Sequence, residues 1–356
     1  MTKGRPDGTA GARLTRRQLI GGTLTAVGTS ALAPWLDAPV STTLAAQAAT
    51  SQSAGASTQL VLLGTQGGPI INLQRGETAS AVVTANVPYL VDCGYGTLRA
   101  LTQAGLRLND ISTAFITHLH DDHTSDIPAL LSHKWATNPP GPLTVYGPFG
   151  TAATIEGAIA FAKANTEIRT VDEGHTARID ALFKGKDLVV DRVTEVFRDE
   201  HMTVRAVQNT HFPERAKAKM SYRSLAYRLT MPDRSIVFSG DTAYSPDLVE
   251  LARDADIFVC EAIDTAVYAE LLKAAEAEPG GLRVDSVPHH IIETHSTTED
   301  VGKMAAEARV KMVVLNHLVP GSNPARGGPI PDERYVAGVR RHFAGRVVVG
   351  NDQMRL

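Results

Sequence analysis

The sequence predicts an α/β fold with two facing sheets flanked by helices, and three observations carry that expectation. Short runs rich in Val, Ile and Leu gather in two blocks, one within residues 59–116 and one within 204–315. Helix-period segments alternate with these runs. The His and Asp residues able to bind a metal stand at the ends of strand-like runs, where loops gather functional groups.

In chain order, Gln59 to Leu63, Ser80 to Thr84 and Tyr89 to Val91 read as strands separated by Gly and Pro signals. Thr97 to Gly105 reads as a helix, Ile111 to Ile116 as a strand and Ile127 to Trp135 as a helix. Ala152 to Ala164 is helical in pattern, Val204 to Val207 and Ser235 to Phe238 are strands, and Ser245 to Ala255 is again a helix. Ile257 to Cys260 and Met312 to Leu315 follow as strands, with helices at Val267 to Ala277, Thr297 to Ala308 and Asp332 to Phe343. No short-period repeat is present, and the two strand blocks with interleaved helices read as two facing sheets of one domain over residues 59–356.

At 356 residues, with 43% hydrophobic and 21% charged residues, the chain can bury a large core. Its front differs. Residues 1–48 carry Arg16-Arg17 ahead of a weakly apolar stretch interrupted by Pro34, then Ala46-Gln47-Ala48, which resembles a twin-arginine export signal with a small-residue cleavage site. Residues 49–58 read as a polar linker, and the mature protein is expected in the periplasm or medium with no stable membrane anchor. Signal removal takes away five basic and two acidic side chains and moves the formal charge from −3 to −6. The basic group Arg215, Lys217, Lys219 and Arg223 reads as a solvated loop, so nucleic acid is disfavoured as a partner. A homodimer is compatible with the composition. Cys93 and Cys260 lie in apolar runs in different halves and read as two buried free thiols.

The chemistry is concentrated in Thr117-His118-Leu119-His120-Asp121-Asp122-His123. Imidazole nitrogens and carboxylate oxygens are the donors that hold zinc and related divalent ions, and four of them fall within six positions on a strand-to-helix loop. The H-x-H-x-D-H array resembles the signature of the metallo-β-lactamase superfamily, whose fold is an αββα four-layer sandwich. The resemblance demands three further ligands, and His211, Asp241 and His317 occur in the required order, each after a strand. It implies one ion on His118, His120 and His211, a second on Asp122, His123 and His317, and Asp241 bridging both with a water between them. The ions are expected to be zinc, with iron or manganese accepted by the same donors. Such a pair acidifies a shared water, so no Ser or Cys nucleophile is needed.

Further segments resemble the ribonuclease Z and arylsulfatase-like branch: Leu90 to Gly94, Pro142 to Pro148 with Gly150-Thr151, Phe238 to Thr242, and Thr294 to Asp300 ahead of Leu315 to His317. In this branch the equivalent of His295 protonates the leaving oxygen or stabilises charge on the substrate, and His295 together with Asp122 of the metal loop are the candidate catalytic residues. His289 and His290 line the pocket or face water, and water is the simpler reading. Ribonuclease Z proteins carry a long basic glycine-rich arm, whereas Thr151 to Arg205 shows a short Ala-rich helix and Lys184-Gly185-Lys186 among acidic residues. Zinc β-lactamases lack the bridging carboxylate, and glyoxalase II lacks the His295 segment. The expected activity is hydrolysis of a small ester-like substrate: a sulfate ester, phosphodiester or lactone. The alternatives are a ribonuclease Z-like transfer-RNA processing endonuclease or general phosphodiesterase, and a binding protein on an inactive fold. The last would need a missing ligand, and all seven are present.

Overall fold

A computed structural model describes residues 57–137, 139–276, 291, 293–323 and 328–356. The expected export signal, most of the linker, and His289 and His290 lie outside the described residues.

The first block forms a six-stranded sheet. Strands β1 (Gln59–Gly64), β2 (Ala79–Thr84) and β3 (Val87–Val91) pair as an antiparallel meander, β2 and β3 joined by a tight turn whose Ala85 and Asn86 take positive φ. Helix α1 (Thr97–Gln103) then crosses to β4 (Thr113–Phe115), and α2 (Asp121–Thr124) and α3 (Ile127–Ala136) cross to β5 (Leu143–Gly147). Helices α4 (Thr151–Phe161), α5 (Lys163–Asp172) and α6 (Ile179–Leu182) lead to β6 (Phe183–Asp187). From β3 to β6 all pairings are parallel, as helical crossovers require.

The second block begins with the antiparallel strands β7 (Thr194–Arg198), β8 (Thr203–Gln208), β9 (Leu225–Thr230) and β10 (Ser235–Phe238), with the short helix α7 (Glu214–Lys217) between β8 and β9. Helix α8 (Pro246–Ala252) leads to β11 (Ile257–Ile263), and α9 (Thr265–Glu276) and α10 (Thr298–Glu307) precede β12 (Met312–Val319). A small ribbon of β13 (Ser322–Asn323) and β14 (Gly328–Pro329), helix α11 (Asp332–Arg340) and β15 (Arg346–Val349) complete the chain. The seven-stranded order is β15-β12-β11-β10-β9-β8-β7.

Alternation along each strand makes the layers, because successive side chains point to opposite faces. Leu60, Leu62, Tyr89, Val91 and Phe115 face the second sheet and meet Leu225, Tyr227, Ile236, Phe238, Val259 and Val314. Their neighbours Val61, Leu63, Leu90 and Ala114 instead pack beneath Leu101, Leu130, Leu131 and Trp135 of α1 and α3. On the other side Val237, Phe258, Val313 and Leu315 pack under α8, α10 and α11. Strands buried on both faces read as continuous apolar runs, which is why they were legible in the sequence. The result is a single αββα four-layer sandwich. Cys93 and Cys260 are buried free thiols, as expected. Among the described residues no helix is long and apolar enough to cross a membrane.

The two sheets are stitched along one edge. The Leu225 amide donates to Thr117 O at 2.8 Å, the Leu318 amide to Thr65 O at 2.9 Å and Tyr227 Oη to Ile116 O at 2.8 Å. Loops from both halves therefore meet where the His and Asp residues lie.

Candidate metal centre

Helix α2 starts directly after His120, so the loop from Thr117 turns at the C-terminal end of β4 and presents His118, His120, Asp122 and His123 inward. His211 follows β8, and Asp241 follows β10 after Gly240, whose φ of +57° turns the chain back toward the site. The reading that β12 stops at Leu315 needs correction. The strand continues to Val319, and His317 is the extra residue of a bulge: Glu261 pairs with Asn316 and Ala262 with Leu318. A bulge re-aims a side chain that regular pleating would point elsewhere, and His317 accepts a φ of +42° to do so.

The seven side chains assemble in the partition the resemblance implied. His118 Nε2 is 2.9 Å from His120 Nδ1, His211 Nε2 is 3.2 Å from the same atom, and Asp241 Oδ2 is 3.7 Å from His118 Nε2. In the second group His317 Nε2 lies 3.1 Å from both Asp122 Oδ2 and Asp241 Oδ2, while His123 Nε2 lies 3.3 Å from Asp241 Oδ1 and 3.6 Å from Asp122 Oδ2. Within each group the donor atoms fall inside 4.8 Å of one another, and Asp241 belongs to both. All seven side chains except His120 are buried.

A cation fits this arrangement on the evidence of its unsatisfied atoms. His123 Nε2 and Asp241 Oδ1 are buried and have no hydrogen-bond partner, although they face each other. Buried polar atoms are normally paired, so converging lone pairs left unpaired point to a missing positive charge. Electrostatics agree in the first group, whereas in the second burial is outweighed by the facing carboxylates, which raise the pKa values of His123 and His317. Burial drives the pKa values of His118, His120 and His211 down, keeping neutral lone pairs available. Asp241 and Asp122 are held ionised because the surrounding imidazoles outweigh the opposing effect of burial.

Supporting groups fix the rings. His211 Nδ1 lies 3.2 Å from Thr294 O, so it donates there and turns Nε2 inward. Gly68 donates its amide to Asp122 Oδ2 at 2.7 Å, and a Cβ at this position would stand 2.3 Å from Asp122 Cβ. Only glycine lets the backbone come this close.

His295 joins the centre, with Nδ1 4.0 Å from Asp241 Oδ2. The helix after it is capped by Thr297, whose hydroxyl accepts from the Asp300 amide at 3.2 Å, so His295 is not needed for capping. Two residues escaped the sequence reading. Glu261 is buried in β11 and meets His295 Nδ1 at 2.7 Å. Burial and Asp241 raise its pKa against the pull of His295, while its own charge raises that of His295 against burial. Asp92 contacts His123 Nδ1. The available signal was a lone acid within or just after an apolar strand, in Phe258-Val259-Cys260-Glu261-Ala262 and Leu90-Val91-Asp92.

Fold and site together define a metal-dependent hydrolase acting on ester bonds, built around a divalent metal centre. The family described as the beta-lactamase superfamily domain matches residues 88–318. A ribonuclease Z of Mycobacterium sp. (strain KMS) is 30% identical over 302 residues, covering 84% of this chain and 95% of that protein. The chain belongs to the metallo-β-lactamase superfamily, in its ribonuclease Z branch. Among solved structures, human tRNase Z, short form, aligns with a TM-score of 0.54 and 22% identity over 84% of this chain and 98% of that one. Zn(2+)-bound PqqB from Methylobacterium extorquens aligns with a TM-score of 0.53 and 14% identity over 84% and 99%.

Proposed function

We propose that this chain is an exported hydrolase of small phosphodiesters and related esters, with zinc as its native metal. The observation that carries the reading is Asp241 shared among three four-donor groups, two of them the sets above and the third formed with Glu261, His295 and His317. Cations held by the first two groups would supply Lewis acidity, acidifying water and offsetting anionic charge on the substrate. Asp122, kept ionised, accepts a hydrogen bond from the attacking water and orients it. Glu261 accepts the Nδ1 proton of His295, which aims Nε2 at the substrate, and its charge keeps that nitrogen protonated. The Nε2 proton passes to the departing oxygen as the ester bond to it breaks.

The relatives named ribonuclease Z support the phosphodiester over the sulfate ester or lactone. The small substrate is supported by Thr151 to Arg205, which folds into α4 to α6, β6, β7 and the start of β8 in place of a basic glycine-rich arm. Arg16-Arg17 and Ala46-Gln47-Ala48 support export, and the zinc-bound PqqB neighbour supports zinc. A second reading, an endonuclease on transfer-RNA precursors, is favoured by the 95% coverage of the mycobacterial relative.

A substrate panel tests this: bis(p-nitrophenyl) phosphate, p-nitrophenyl sulfate, a lactone, a thioester and a transfer-RNA precursor, each with and without chelator. The expected result is chelator-sensitive phosphodiester turnover that His120→Ala abolishes. Cleavage of the precursor alone would replace the small-substrate reading with the second one. Full-length protein retained in the cytoplasm, with no change when Arg16-Arg17 become Lys-Lys, would remove export.

A further inference from the structure

We propose that Phe149 and Tyr222 form an aromatic ledge at the rim of the metal centre that seats a flat ring carried by the ester substrate. This rests on the reading above and names the group its substrate bears.

Both side chains are large, apolar and half exposed, Phe149 at 51% and Tyr222 at 46%. Their ring centroids lie 5.8 Å apart with planes inclined at 53°. They come from distant segments, the turn between β5 and α4 and the loop before β9, so local sequence does not explain their meeting. The Gly150 backbone lies close to both Tyr222 and the metal loop. An added Cβ there would stand 2.7 Å from Tyr222 Cε1 and 2.9 Å from Leu119 Cδ1, and Leu119 lies between the ligands His118 and His120. The ledge is therefore one residue removed from the first donor group. Phe212, the residue after His211, packs against the first donor group, its centroid 5.6 Å from that of His120 and 4.8 Å from that of His211.

The surroundings favour a ring over a charged group. Asp187 accepts from the Gly150 and Ala152 amides, which occupies the start of α4 with the protein's own carboxylate. Arg215 pairs with Glu293 and Lys217 with Glu214, while Arg223 donates to Met220 O and Tyr222 O at 2.8 Å and pins the Tyr222 backbone. Both rings stay half exposed, and aromatic rings pair at centroid distances of about 4.5–7 Å, a range the Phe149–Tyr222 spacing already shows.

The test is calorimetric binding of phenylphosphonate and methylphosphonate to the metal-loaded protein, alongside turnover of bis(p-nitrophenyl) phosphate. Wild type should bind the phenyl ligand about tenfold more tightly. Tyr222→Ala and Phe149→Ala should each bring the affinity ratio close to one, and Tyr222→Phe should keep it. No phenyl preference in wild type, or a preference that both alanine variants retain, overturns the ledge. If wild type hydrolyses no phosphodiester but shows a phenyl preference that the variants lose, the ledge stands and the reaction assignment fails. If it hydrolyses the diester while the preference survives both substitutions, only the ledge fails.

Discussion

Asp92 Oδ2 meets His123 Nδ1 at 2.9 Å, so a carboxylate that touches no other ligand sets the direction in which His123 presents Nε2 to Asp241. Asp92 is itself held by the Thr117 amide at 2.8 Å and adopts a φ of +60° to reach this position. Partners of this kind are worth about 10- to 100-fold in metal affinity. Asp92→Ala is expected to weaken binding at the Asp122, His123 and His317 group by that factor, read by chelator competition. Unchanged affinity at both groups would show that the contact does not orient the ligand.

His295 and Glu261 should act as a unit. His295→Ala is expected to lower turnover about a hundredfold or more on esters with poor leaving groups and little on activated ones, because only the former need a proton delivered. Glu261→Gln should follow the same pattern. Equal losses on both substrate classes would remove the acid assignment.

Lys134 clamps the metal loop from both sides. It sits on α3 after the loop, is fully buried, and donates to Leu108 O at 2.8 Å and Ile111 O at 2.9 Å just before β4. Burial pushes its pKa down to about 8, against a weaker opposing pull from Asp110. The unfolded chain then binds this proton more tightly than the folded one, so between pH of about 8 and about 10.5 its contribution to stability grows as pH rises. Denaturant unfolding across that window should show a rising difference between wild type and Lys134→Met. A difference that is flat or falls with pH would contradict the assignment.

Gly68→Ala drives a methyl group into Asp122. Overpacking of this kind costs about 1–3 kcal/mol, and a ligand displaced by an ångström costs about a hundredfold in rate. Turnover should therefore collapse in a protein that still unfolds cooperatively. Full activity would mean that the Gly67-Gly68 backbone does not constrain Asp122.

Much of this was legible from periodicity and spacing. The strand Ser235–Phe238 falls where its apolar run predicts, and the helix starting at Ile127 agrees at its first residue. The seven candidate ligand positions follow from motif order, and the structure brings their side chains together. What stayed hidden depends on pairing between distant segments. β12 was cut short at Leu315 because the polar Asn316-His317 pair reads as a strand end, whereas the bulge that carries the chain through is fixed by its neighbour β11. β7 and α5 escape the pattern because neither buries a residue fully, so neither shows the continuous apolar run that marks the other elements. Glu261 was missed because a single acid gains its meaning only when folding sets His295 beside it.

The central claim is that Asp241 joins two groups of donors into one metal centre. Anomalous scattering from crystals of the purified protein, recorded at the zinc, iron and manganese edges, tests it most directly. The account predicts two peaks, one among His118, His120 and His211 and one among Asp122, His123 and His317, with Asp241 reaching both. A protein that turns over its substrate with no peak at these residues, or with metal bound only elsewhere, would contradict it.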